Sequence, residues 1–138
     1  MLIKIDTTSQ QPIYEQIVQQ IQFVIASGAV RENELIPSVR ELSKSLAINP
    51  NTIGKSFKVL QDEGTVILRR GMGLVVAEGA KERCEKRRVE IFEKKITQVL
   101  AEAAQSGLEQ SEIERITKVG CLPPGGNVRY SAPEAGKS

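Results

Sequence analysis

The 138-residue chain contains no histidine and no tryptophan, and only three phenylalanines, two tyrosines and two cysteines. Without histidine, Ser-His and Cys-His catalytic pairs are excluded. Cys84 and Cys121 have neither the C-x-x-C spacing nor the partners that a zinc site of the usual kind needs. No sequence neighbour clearly lowers the pKa of either cysteine, so both read as ordinary thiols rather than redox switches. The scarcity of aromatics argues against a stacking platform for single-stranded nucleic acid and requires an aliphatic core. No apolar run approaches the roughly 18 to 20 residues of a membrane span, and Met1-Leu2-Ile3-Lys4 begins no signal peptide. These absences set the expectations: no enzyme, no metal, no cofactor, no membrane partner, and a cytoplasmic location with reduced thiols.

Charge of one sign is also missing. The net charge is +2, and residues 1–80 carry eight basic and eight acidic groups. Bulk charge therefore does not mark a nucleic-acid partner; local placement has to. Arg40, Lys44, Lys55, Lys58, Arg69 and Arg70 all fall within one stretch of the chain.

That stretch also carries two helix starts. Ser38 follows a proline and precedes Val39-Arg40-Glu41, the S-x-x-E pattern in which the serine hydroxyl and the glutamate satisfy each other's backbone N–H. About a dozen residues later, Asn49 precedes Pro50, a polar cap followed by proline at the first helical position. Two short helices joined by a tight turn are the frame of a helix-turn-helix, whose second helix enters a DNA major groove.

The flanking segments complete this frame. Ile13, Ile17, Ile21, Val24 and Ile25 recur at three- and four-residue steps, predicting a first helix over 12–27 that Gly28 stops. The second helix spans 38–46, with Val39, Leu42 and Leu46 on one side. The third spans 50–63, with Ile53, Phe57 and Leu60 spaced for burial and Asn51, Thr52, Lys55 and Lys58 opposite. Two β-branched runs in Thr65–Val76, joined by a turn holding Gly71 and Gly73, read as a β-hairpin that presents Arg69 and Arg70 at its tip. Leu2–Ile5 is short and β-prone and could pair as an edge strand.

From Glu78 the composition becomes that of a charged helix. Within it, Val89, Phe92, Ile96, Val99 and Ala103 follow alternating steps of three and four residues, a coiled-coil-like seam. Such a seam needs cover from the first helix or from the same helix of a second chain. A last short helix begins at Ser111-Glu112-Ile113-Glu114 and ends near Gly120. The tail, with Pro123-Pro124-Gly125-Gly126, is poor in apolar residues and is expected to be disordered. The expected fold is mainly α with a small β-hairpin. Residues 1–77 form a winged helix-turn-helix, 78–120 a helical dimerisation region and 121–138 the tail.

Four ordered motifs now stand in sequence: Pro12-Ile13-Tyr14-Glu15-Gln16-Ile17, Leu35-Ile36-Pro37-Ser38-Val39-Arg40-Glu41-Leu42, Ile48-Asn49-Pro50-Asn51-Thr52-Ile53, and Arg70-Gly71-Met72-Gly73 after Glu63-Gly64. Together they resemble the GntR family of bacterial transcription regulators. The Asn-Pro-Asn-Thr step and the short C-terminal region resemble its YtrA subfamily. The resemblance implies a dimeric repressor on an inverted-repeat operator, often for ABC-transporter genes. It also implies DNA contact by Arg40, by Asn49 to Thr52, and by the wing at Gly71. Many relatives hold a base-reading arginine where this chain has Gly54. Glu32-Asn33-Glu34 replaces the usual Pro-Gly turn, and Leu74 the usual wing threonine.

Each residue also has a plainer reading. Arg40, Lys55 and Lys58 could be solvated charges on a helix face. Ser38, Asn49, Pro50, Asn51 and Thr52 could serve only to start helices, and Arg69 and Arg70 could be charges that protect a sheet edge. The expected DNA-binding set is Ser38, Arg40, Asn49, Pro50, Asn51, Thr52, Lys55, Lys58, Arg69, Arg70 and Gly71. The expected dimer set is Val89, Phe92, Ile96, Val99 and Ala103. Double-stranded DNA and a second copy are the expected partners, with room left for a small effector at the dimer interface or between the winged domain and the C-terminal helices. The competing reading is a winged helix that docks proteins without reading DNA, which should expose apolar residues on its recognition face.

Overall fold

A computed structural model describes residues 1–120, so Cys121 and the expected disordered tail 121–138 lie outside the described residues. Helix α1 covers Ile13–Ala26, α2 Val39–Leu46, α3 Pro50–Asp62, α4 Ala80–Gln105 and α5 Gln110–Gly120. Strands β1, Val66–Arg69, and β2, Gly73–Val76, pair antiparallel, with Val66 opposite Val76 and Arg69 opposite Gly73. The chain forms two units, one from Met1 to Arg88 and one beginning at Val89, so the division falls inside α4.

The first unit is built around one aliphatic core. Ile17, Ile21 and Ile25 of α1 meet Leu42 of α2 and Ile53, Phe57 and Leu60 of α3, with Val66 and Val76 of the hairpin and Ala80 and Cys84 of α4 closing it. Each large aliphatic side chain removed from water there contributes about 1.5–3 kcal/mol. Burial pushes the Cys84 thiol up to about 11, which leaves it protonated near neutral pH.

Local chemistry closes the turn between α2 and α3. Ala47 takes the left-handed conformation at φ 55°, Ile48 N donates to Ser43 O at 3.2 Å, and Ser43 Oγ donates to Ile48 O at 2.6 Å. The Ser43 carbonyl in the last turn of α2 and the Ile48 carbonyl in the turn after it are thereby satisfied. Gly28, at φ 84°, ends α1 in the expected place.

Leu2–Ile5 is not a strand. Ile3 is buried, but the Lys4 backbone pairs with a side chain: its N–H donates to Gln20 Oε1 at 2.8 Å and its carbonyl accepts from Gln20 Nε2. The amide of Gln20 takes the place of a neighbouring strand, so a β-prone segment stays extended without joining a sheet. The hairpin instead gains a short partner from the loop before α2. Asn33 N donates to Val76 O, Ile36 N to Leu74 O, and Val76 N to Glu34 O, at 2.7–2.9 Å. This covers the outer edge of β2.

In the second unit, the later turns of α4 and α5 line an apolar groove of about 290 Å³, bounded by Ile96, Val99, Leu100, Ala103, Ile113 and Ile116.

Candidate nucleic-acid interface

The helix starts form as their sequences require. Ser38 Oγ accepts from Glu41 N at 3.1 Å while Glu41 Oε1 accepts from Ser38 N at 3.0 Å, so the capping box is complete. The Ser38 backbone N–H, and after it the Ser38 hydroxyl, lie against the Glu41 carboxylate and hold it below its ordinary value. Arg40 and Lys44 sit on the exposed side of α2, away from the buried Leu42.

Asn49 Oδ1 accepts from Asn51 N at 2.8 Å, and Pro50 occupies the first helical position of α3. The side-chain oxygen of Asn49 is therefore committed to the cap. At 100° per residue, the burial of Ile53, Ser56, Phe57 and Leu60 turns Asn51, Gly54, Lys55 and Lys58 outward. Thr52 is half-buried on the flank. Ser56 was not legible as a core residue because it is polar. Fully buried, it shares its one hydroxyl proton between Thr52 O at 3.1 Å and Tyr14 O at 3.0 Å, tying the first turn of α1 to α3.

The outward cations differ in their surroundings. Lys58 Nζ lies 3.6 Å from Asp62 Oδ2, with both side chains largely exposed, a pair of little energetic weight in water. Lys55 Nζ instead sits 4.0 Å from the centre of the Tyr14 ring. Because Asp62 ends the outward face of α3, the N-terminal half of the helix is the part without an acid.

In the wing, Arg69 and Arg70 part company. Arg69 Nη2 donates to Asn33 Oδ1 at 3.2 Å, which turns it back toward the loop before α2. Arg70 belongs to the turn with Gly71 and Met72, closed by Met72 N donating to Arg69 O at 2.9 Å. Gly71 and Gly73 hold φ of 81° and 120°, and nothing lies within 4 Å of a Cβ added at either. Their backbone conformation, not crowding, requires glycine. The wing also exposes Leu68 and Met72, at 70% and 52%.

The seam residues Val89, Phe92, Ile96 and Val99 are all exposed, at 45–62%, and Ala103 is half-buried. The groove adds Leu100, beside the seam on α4, and Ile113 and Ile116 of α5, which a seam traced along a single helix does not reach. Among the described residues, no group of three or more His, Cys, Asp or Glu side chains could hold a metal ion, and no helix is long and apolar enough to cross a membrane.

The model of the bacterial regulatory proteins of the gntR family matches residues 13–76, from the first turn of α1 to the end of β2. The HTH-type transcriptional repressor YtrA of Bacillus subtilis is 33% identical over 117 residues, covering 85% of this chain and 90% of that protein. The chain belongs to the GntR family. Among solved structures, YtrA from Sulfolobus acidocaldarius, a GntR-family transcription factor, is 34% identical with a TM-score of 0.56 over 70% of this chain and 99% of the other. A transcriptional regulator from Oenococcus oeni is 28% identical with a TM-score of 0.66 over 83% and 94%. The relatives match well beyond the winged unit, and they place the chain with the YtrA subfamily of GntR regulators, as a DNA-binding transcriptional regulator with a winged helix-turn-helix.

Proposed function

We propose that this GntR regulator is a homodimeric repressor that binds an inverted-repeat operator, inserting α3 into the major groove and the wing into the minor groove. The observation that carries the reading is the outward face of α3. Its capped N-terminus presents Asn51, with Thr52 on its flank, while Ser56 and the core hold the opposite side rigidly. Helix N-termini and arginines suit phosphate, and short polar side chains at the start of a recognition helix suit base edges. In this reading Arg40 holds phosphate, Ser38, Asn49 and Pro50 set the helix ends against the backbone, and Lys55 and Lys58 add charge. Arg69 supports the wing, while Arg70 and Gly71 approach the minor groove.

Dimerisation falls to α4 and α5. The apolar face of α1 is spent in the core of the first unit. A second copy is therefore the cover that fits Val89, Phe92, Ile96, Val99 and the groove beside Ala103. The name of the B. subtilis relative, a repressor, supports the direction of regulation. The resemblance to its subfamily supports an ABC-transporter operon as the target, and a small effector would sit at the dimer interface.

The test is a set of alanine variants titrated against an operator selected from random duplexes by the parent protein. Arg40→Ala should weaken all duplexes alike and reduce the salt slope by about 1. Asn51→Ala or Thr52→Ala should relax one operator position by about 1–3 kcal/mol. Unchanged affinity in all three would remove α3 from the interface.

One observation favours a second reading, a protein-docking winged helix: the exposed Leu68 and Met72 of the wing. A parent protein that selects no duplex would support it.

A further inference from the structure

Lys55 of α3 and Tyr14 of α1 are distant in sequence, yet the Lys55 ammonium lies 4.0 Å from the centre of the Tyr14 ring. Rigid elements carry both. Ser56, the residue after Lys55, is fully buried and donates to Tyr14 O, so the backbone under the ring and the helix under the lysine are fixed to each other. Tyr14 is half-buried, and its hydroxyl donates to Glu15 Oε1 at 3.3 Å. Lys55 lies one turn after Asn51, on the same outward face.

We infer that Tyr14 is a positioning residue for DNA binding: its ring holds the Lys55 ammonium beside the N-terminal half of α3, where the ammonium meets a phosphate of the strand passing that turn. The inference rests on the reading of α3 as the recognition helix. A ring face attracts a cation through its quadrupole without offering a competing anionic acceptor. The N–H groups that point away from the ring stay available to phosphate oxygen. Lys58 is the contrast on the same face: no ring among the described residues holds it, and its neighbour is the Asp62 carboxylate at 3.6 Å in an exposed, weak pair. A lysine already held near its bound position also loses less rotamer freedom on association than a free one.

The experiment is a double-mutant cycle in the full chain on the selected operator, read at several salt concentrations, with helix content and melting followed for each variant. Tyr14→Leu should weaken binding about two- to five-fold, and Tyr14→Phe, which keeps the ring, should bind like the parent. Lys55→Ala should reduce the salt slope by about 1. In the Lys55→Ala background, Tyr14→Leu should cost nothing further. In the free protein, the Tyr14 ring current should shift the Lys55 methylene resonances upfield, and Tyr14→Leu should abolish that shift. The same loss from Tyr14→Leu in both backgrounds, no loss at all, a Tyr14→Phe variant as weak as Tyr14→Leu, or unshifted Lys55 resonances would each overturn the inference while leaving the operator reading intact. A parent that selects no duplex would overturn both together.

Discussion

Ser38 and Glu41 satisfy each other across the first turn of α2, each side chain accepting the other's backbone N–H at 3.0–3.1 Å. Arg40 lies between them, so the cap fixes the turn that presents it. Ser38→Ala should cost about 1 kcal/mol of stability by urea denaturation near neutral pH. The Ser38 backbone N–H, and after it the Ser38 hydroxyl, lower the Glu41 pKa in the folded state from its ordinary value of 4.5. The stability this lends is therefore present above pH 4.5 and is lost as pH falls through the lower folded value. Glu41→Gln should flatten that acid-side dependence; an unchanged pH profile would mean that the carboxylate bond does not persist in solution.

Gly54 gives a prediction of opposite sign. A Cβ added there would meet nothing within 4 Å, and its φ lies outside the left-handed region. The helix therefore bears the entropic cost of glycine without a steric reason for it. Gly54→Ala should stabilise the first unit by about 0.4–1 kcal/mol in a thermal or denaturant melt. If the same variant also weakens operator binding, the open space beside residue 54 is filled by DNA; if binding is unchanged, it faces solvent in the complex.

What was legible in the sequence follows the range of the interactions. The caps at Ser38 and Asn49 and the hairpin from Thr65 to Val76 depend on neighbours a few residues away, and they form as their patterns predict. The segment Leu2–Ile5 does not, because its backbone is satisfied by Gln20, a choice that only tertiary structure makes. For the same reason the turn of Arg69 toward Asn33, the burial of Ser56 and the placing of Lys55 on Tyr14 were invisible: each joins residues far apart in sequence. The seam on α4 showed in its spacing. Its extension by Ile113 and Ile116 needed the second helix in place.

The seam leads to a prediction about assembly. Val89, Phe92, Ile96 and Val99 leave a row of apolar side chains in water along α4, and symmetric pairing of two copies would bury it and set two reading heads about 34 Å apart. Light scattering at micromolar concentration should give a dimer for the parent. Phe92→Glu combined with Ile96→Lys should give a monomer of unchanged helix content that binds the operator weakly. A monomeric parent would reject the pairing.

The wing yields the last prediction. Arg70 sits in the turn beside Gly71, whose φ of 81° a β-branched residue does not tolerate, and Arg69 is drawn back to Asn33. Arg70 is thus the arginine left to the wing tip. A narrow minor groove concentrates negative potential and attracts an inserted arginine. Arg70→Ala and Gly71→Val should each reduce operator affinity while leaving helix content and oligomeric state unchanged, the first by removing the charge and the second by distorting the turn that aims it. Arg70→Ala should lose most on operators with A·T-rich flanks, where the groove is narrowest. Equal losses on A·T-rich and G·C-rich flanks in a binding titration would make Arg70 a phosphate contact, and no loss on either would leave it a solvated charge.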